Sequence, residues 1–167
     1  MKKVLSVLCM LCLIVGLAAC KNTVIQPDDT GLAEGSVGDT LRAQMMDVKV
    51  VSAKKVSSYG DYTPISGDSL VNTVIYIENT SEEPITLLDT SFQIQWGEQG
   101  FAEPLPALYD STLAPMSMVL QPGESSEYHY LFSVPSAVTI LSVCFNDIDP
   151  ATGEPAGEYF YKASFSL

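Results

Sequence analysis

From residue 45 onward, apolar and polar side chains alternate in short runs, the period of a strand with one buried face. Met46, Val48 and Val50 share one face while Asp47 and Lys49 take the other, and the run ends near Val56. The most apolar run, 70–78, sets Val71, Ile75 and Ile77 opposite Val74 and Tyr76 and predicts a central strand. Asn79-Thr80-Ser81-Glu82-Glu83-Pro84 closes it with turn chemistry. Further strands are predicted at 85–88, 92–96 and 116–120, before the turn Gln121-Pro122-Gly123-Glu124. Tyr128, Tyr130, Phe132 and Val134 then alternate with Glu127, His129, Leu131 and Ser133, an inside and outside pattern that Pro135 stops. Leu141, Val143 and Phe145 mark the next strand, and Tyr159, Tyr161, Ala163, Phe165 and Leu167 the last.

About 7–9 short strands at roughly ten-residue spacing, parted by Pro and Gly turns, predict an all-β antiparallel β-sandwich, with a small barrel as the alternative. Outside the first 19 residues no stretch has a helical period, and 104–114 is where a single helical turn would fit.

The amino-terminal pattern is different in kind. Lys2 and Lys3 precede an apolar run over 4–19 that ends in Leu17-Ala18-Ala19-Cys20, the layout of a secretory signal whose closing cysteine resembles a bacterial lipobox. The run is shorter than the ~20 residues a spanning helix needs. The resemblance implies cleavage before Cys20, a diacylglyceryl group on its sulfur, and a protein anchored at the bacterial cell membrane or outer membrane with its domain extracytoplasmic. Residues 1–19 are thus read as a lipoprotein signal peptide, 20–38 as a flexible acidic tether and 39–167 as the folded domain. The tether reading rests on Gln26-Pro27-Asp28-Asp29-Thr30-Gly31 and Glu34-Gly35-Ser36, which are polar and aperiodic.

Charge sharpens the picture. The whole chain has a formal net charge of −12, and past residue 19 only six Lys and Arg face twenty Asp and Glu. Such a surface repels phosphate backbones, so no nucleic-acid partner is expected. Of four cysteines, Cys9 and Cys12 lie in the signal and Cys20 is taken by lipid, which leaves Cys144 without an intramolecular disulfide partner.

Three turn-and-strand signatures then point to a family. Ser36-Val37-Gly38-Asp39-Thr40, the run Ile77-Glu78-Asn79-Thr80-Ser81-Glu82-Glu83-Pro84-Ile85, and Leu120-Gln121-Pro122-Gly123-Glu124-Ser125 leading to Leu131-Phe132-Ser133-Val134-Pro135 resemble the DUF4352 group of bacterial lipoproteins. The resemblance spans about residues 36–167. It implies an immunoglobulin-like sandwich similar to the secreted MPT63-type antigens, and it brings no catalytic residues with it.

Candidate chemistry is sparse. His129 is the single histidine, it falls on the outward side of its strand, and no Gly-x-Ser-x-Gly elbow accompanies it, so the chain is not expected to be an enzyme. One His and one free Cys cannot complete a zinc or blue-copper site, and no cofactor is expected. Asp147, Asp149 and Glu154 put three carboxylates in one loop, a weak calcium candidate without EF-hand spacing that reads more simply as a polar hairpin loop. The long segment 97–114 carries Phe101, Leu105, Leu108 and Tyr109 among prolines and acids, either as a recognition loop or as a cap on the sandwich. The reading that follows is a membrane-tethered, non-catalytic binding module for an envelope protein, peptide or glycan, with a small-ligand or calcium-binding lipoprotein as the alternative.

Overall fold

The structure is a computed structural model that describes residues 23–107 and 111–167. The signal-like residues 1–19 with Leu17, Ala18 and Ala19, then Cys20, and the loop residues Leu108 and Tyr109 lie outside the described residues.

Twelve strands are described: β1 (Val24–Ile25), β2 (Leu32–Ser36), β3 (Thr40–Arg42), β4 (Met46–Val56), β5 (Asp68–Asn79), β6 (Ile85–Leu88), β7 (Gln93–Trp96), β8 (Gly100–Ala102), β9 (Ser117–Leu120), β10 (Ser125–Pro135), β11 (Ile140–Ile148) and β12 (Pro155–Ser166). They form one sheet in the order β1-β3-β4-β5-β10, a second in the order β2-β12-β11-β7-β8, and a β6-β9 pair. The β-sandwich is thus the observed fold. Every strand anticipated from alternation is present, because each buries the face its apolar side chains mark. Met46, Val48, Val50, Val71, Ile75, Ile77, Phe132 and Val134 all lie in the common core. β5 is flanked by β4 and β10 along its length, with Tyr76 opposite Lys49 on one side and Glu127 on the other.

The flexible tether at 20–38 is corrected by the structure. β1 pairs in parallel with β3, and β2 pairs in parallel with β12 from Leu32↔Phe160 to Ser36↔Ser164. The folded unit therefore includes residues 24–38 and does not begin at residue 39. These edge strands hold through small residues and close contact. Ala33 is fully buried, and a Cβ on Gly35 would sit 2.9 Å from Ile25 Cδ1 and 3.0 Å from Leu41 Cδ2, so the edges of the two sheets close on each other where a side chain would not fit. The parallel pairing of both edges also departs from the all-antiparallel expectation.

Two turns show how local chemistry positions the strands. At Gln121-Pro122-Gly123-Glu124, Gly123 has φ +73°, a left-handed conformation glycine adopts without cost, and the Glu124 N–H returns to the Gln121 carbonyl. Asn79 ends β5 fully buried and fully bonded. Its Nδ2 donates to the Glu83 and Leu120 carbonyls, and its Oδ1 accepts from the Ser81 N–H and hydroxyl.

The outer face of the first sheet is not the solvent face that alternation implies. Leu131 is completely buried there with Leu70 and Leu113, under Tyr59, Tyr62 and Leu105. The segment after β8 folds back over β10, its Leu105 N–H bonding the Leu131 carbonyl, while the Tyr62 hydroxyl donates to the Pro106 carbonyl. No α-helix forms among the described residues in 104–114, and the one short helical turn is a 3-10 turn at Asp89–Ser91.

In the main core an aromatic column crosses the sandwich. Tyr130 meets Phe92 at 5.3 Å between ring centroids, Phe92 meets Phe145 at 5.5 Å, and Phe145 stacks on Tyr161 at 4.8 Å. The Tyr130 hydroxyl is buried there without a partner among the described residues. Removing an unpaired buried hydroxyl relieves its desolvation cost, so Tyr130→Phe is expected to raise unfolding stability by about 1 kcal/mol. Urea denaturation of the two proteins measures the difference, and a loss of stability would show that the hydroxyl has a partner in solution.

Candidate functional site

At one end of the sandwich the β1–β2 loop, the β3–β4 turn and the start of β12 enclose an open recess of about 730 Å³. Gln26, Asp28, Asp29, Arg42, Gln44, Glu158, Tyr159 and Tyr161 are among its lining residues. The β1–β2 wall is stiffened by Asp28, whose Oδ1 accepts the Thr30 N–H at 2.8 Å and the Thr30 hydroxyl at 2.6 Å. Those hydrogen bonds to Thr30 favour the ionised form and lower the Asp28 pKa below the ordinary carboxylate value. On the opposite wall Arg42 forks onto Asp47, Nε to Oδ1 at 2.9 Å and Nη2 to Oδ2 at 2.7 Å. Its charge is already matched within the fold.

The floor is carried by Tyr161 of β12, which Asp147 of β11 holds from behind. Asp147, 4% exposed, accepts the Gln44 backbone N–H and the Tyr161 hydroxyl on Oδ1, each at 3.1 Å. Its Oδ2 is buried without a partner among the described residues. Burial first, and then the Asp147 carboxylate, raise the Tyr161 pKa above the usual phenol value. One carboxylate thus ties the β3–β4 turn to β12 and closes the end of the aromatic column. Asp147→Ala would strand the buried Tyr161 hydroxyl and take the acceptor from the part-buried Gln44 N–H, and a loss of about 2 kcal/mol is expected in chemical denaturation. A change below about 0.5 kcal/mol would mean that water replaces the carboxylate there.

In contrast to the floor, the rim carries side chains the fold leaves uncommitted. Gln26, Asp29, Gln44, Glu158 and Tyr159 line the recess, and none of their side chains makes a hydrogen bond to another described residue. Amides, carboxylates and a half-exposed phenol facing one recess can hydrogen-bond hydroxyls and amides and can stack on a ring or sugar face.

The residues singled out from sequence are scattered. Asp147 is internal to the fold, whereas Asp149 is exposed and caps its own loop, Oδ1 accepting the Ala151 and Thr152 N–H groups. No group of three or more His, Cys, Asp or Glu side chains suited to a metal occurs among the described residues, so the structure does not bring Asp147, Asp149 and Glu154 together as calcium ligands. In the 97–114 segment Phe101 is exposed at the β8 edge, while Leu105 is packed over Leu131. Leu105 is thus part of a cap on a sheet face. His129 stands on the outer face of β10 with Nδ1 3.3 Å from Asn72 Oδ1 and its ring beside Tyr59. Cys144 is buried in the other sheet, and burial pushes its thiol up to about 12, a poor state for a nucleophile.

Half of the recess wall lies in residues 26–31, whose polar, aperiodic sequence looks like tether and hides the recess. The signal was there: an Asp two residues before a Thr and three before a Gly, between the apolar pairs Val24-Ile25 and Leu32-Ala33, is the pattern of an Asx turn joining two strands.

Neither a family model nor a curated protein matches the chain. Solved structures do. The fold is similar to the yjhA protein of Bacillus subtilis, with a TM-score of 0.60 at 16% identity over 77% of this chain and 99% of that one. It is similar to a candidate lipoprotein of Bacillus subtilis, ycdA, with a TM-score of 0.59 at 12% identity over 76% of this chain, which spans only 38% of that protein. The secreted Mycobacterium tuberculosis protein MPT63 matches with a TM-score of 0.57 at 15% identity, over 80% of this chain and 96% of its own. At these identities the likeness is one of fold. No helix among the described residues is long and apolar enough to cross a membrane.

Proposed function

We propose that this chain is a cell-envelope lipoprotein, anchored through lipid on Cys20, whose β-sandwich is a non-catalytic module that binds an envelope protein, peptide or glycan in the recess at the β3–β4 end. The observation that carries the reading is the uncommitted rim of Gln26, Asp29, Gln44, Glu158 and Tyr159 around a recess of about 730 Å³. The signal-like start ending in Leu17-Ala18-Ala19-Cys20 supports an extracytoplasmic address. The turn signatures that resemble DUF4352 proteins, and fold neighbours that include a candidate lipoprotein and a secreted protein, are in keeping with it. The acidic surface argues against nucleic acid and favours partners that are neutral or basic.

The test is retention of envelope components on immobilised residues 21–167, using solubilised envelope proteins and a peptidoglycan digest as separate probes. Specific retention is expected from at least one probe, falling at least about tenfold with Gln44→Ala and Tyr159→Ala combined, since both side chains contribute to binding and neither holds the fold. Retention unchanged by the double substitution would move the site elsewhere, and none from either probe would contradict the binding reading.

A further inference from the structure

The point at which the chain enters the sandwich restricts how an anchored domain can sit. Three peptide units separate Cys20 from Thr23, a reach of roughly 11 Å when fully extended. Thr23 is already part of the fold, its carbonyl accepting the Thr40 N–H, and Val24 pairs with Thr40, which lies opposite Lys49. From Lys49, β4 continues to Val56 in one direction, about 23 Å at the usual rise per strand residue. In the other direction the sheet ends at Met46 and the recess, and β1 runs toward that end from Thr23. An anchor of roughly 11 Å cannot reach past the far end of the sandwich.

The edge is within reach. β1 and β2 are the outermost strands of the two sheets on one side, closed on each other at Gly35, with β8 and β10 on the other side. Exposed apolar side chains occur near the anchored edge, as they also do at Phe101 on β8 and at Ile65, Met116, Val119 and Ile140 elsewhere. Val24 lies on β1, Val37 in the turn before β3, and Val51 next to Val50, whose carbonyl accepts the Gly38 N–H. Charge divides along the same line. Residues 23–56 and 155–167, which supply β1 to β4 and β12, carry five Lys and Arg against six Asp and Glu, whereas 57–154 carry none against fourteen acids. Every described cation lies on β3 or β12, the neighbours of β1 and β2, or on β4, the next strand after β3. An anionic bilayer therefore repels the β8/β10 side far more than the anchored side.

We propose that the anchored domain lies on the bilayer along its β1/β2 edge, with Val24, Val37 and Val51 at the headgroups and the acidic β8/β10 edge turned outward. The recess then opens along the membrane plane. This orientation rests on the lipid anchor of the proposed function.

The test uses the acylated full-length protein in vesicles of phosphatidylcholine and phosphatidylglycerol containing nitroxide-labelled lipid. Cys144 is buried, so a fluorophore attaches to an introduced cysteine at Val37→Cys, Val51→Cys or Phe101→Cys. At least about threefold stronger quenching is expected at positions 37 and 51 than at 101, with the difference lost when twelve Gly and Ser residues are inserted before Thr23. Equal quenching, stronger quenching at 101, or a difference that survives the long insertion would overturn the orientation. Mass spectrometry of the same preparation separates the two claims. An unmodified Cys20 overturns anchor and orientation together, while an acylated protein quenched equally at all positions overturns the orientation alone.

Discussion

A chain that begins at Asp39 is expected to be largely unfolded at 25 °C, while one that begins at Thr23 folds. The shorter chain loses β1 and β2, and with them five residue pairs between β2 and β12 and the pairing of β1 with β3. Each net backbone hydrogen bond contributes about 1 kcal/mol, and loss of β2 also uncovers Leu41 and the Tyr161 and Ala163 rows of the core. A loss of roughly 5 kcal/mol or more is expected, comparable with the whole stability of many domains of this size. Circular dichroism with urea titration of the two chains measures it. Matching midpoints would show that 23–38 is an appendage after all.

The second large effect is alkaline. Burial raises the Tyr130 and Tyr161 phenols and lifts the Cys144 thiol to about 12, from ordinary values near 10.0 and 9.0. In each case the folded state holds its proton more tightly than the unfolded chain. Their stabilising contribution is therefore complete below the unfolded-state values and declines as pH rises above them, for Cys144 between about 9 and about 12. Each group that ionises only in the unfolded chain steepens the decline by about 1.4 kcal/mol per pH unit. Urea midpoints are expected to be flat from pH 7 to 8.5 and to fall steeply past pH 10. Tyr130→Phe and Cys144→Ala together should remove more than half of that slope. A midpoint unchanged to pH 11 would mean that these groups are not sealed from water.

How much of this was legible follows from which residues speak for themselves. β4, β5 and β10 are long and alternate apolar with polar side chains, so their buried faces are visible in Val48-Lys49-Val50 and in Tyr130-Leu131-Phe132. β2 is Leu-Ala-Glu-Gly-Ser, held by backbone pairing to β12 and by the close approach at Gly35, and neither property has a hydrophobic period. Alternation places Leu131 on the outward face because it reflects a single strand. The cover over it comes from Tyr59, Leu105 and Leu113, which are distant in sequence. The recess was hidden for the same reason, since its walls join residues 26–31, 42–44 and 158–161. The three acids of the 147–154 loop illustrate the converse. They are adjacent in sequence, yet the pleat turns Asp147 toward Tyr161 and leaves Asp149 outside.

The proposed lipid on Cys20 sets the address, the partner class and the posture of the domain. Mass spectrometry of the protein extracted from its own membrane fraction tests this directly. The expected result is an amino terminus at Cys20 carrying a thioether-linked diacylglyceryl group, with membrane release of Cys20→Ser. A mature amino terminus at any other residue, or a free thiol at Cys20, would contradict the account.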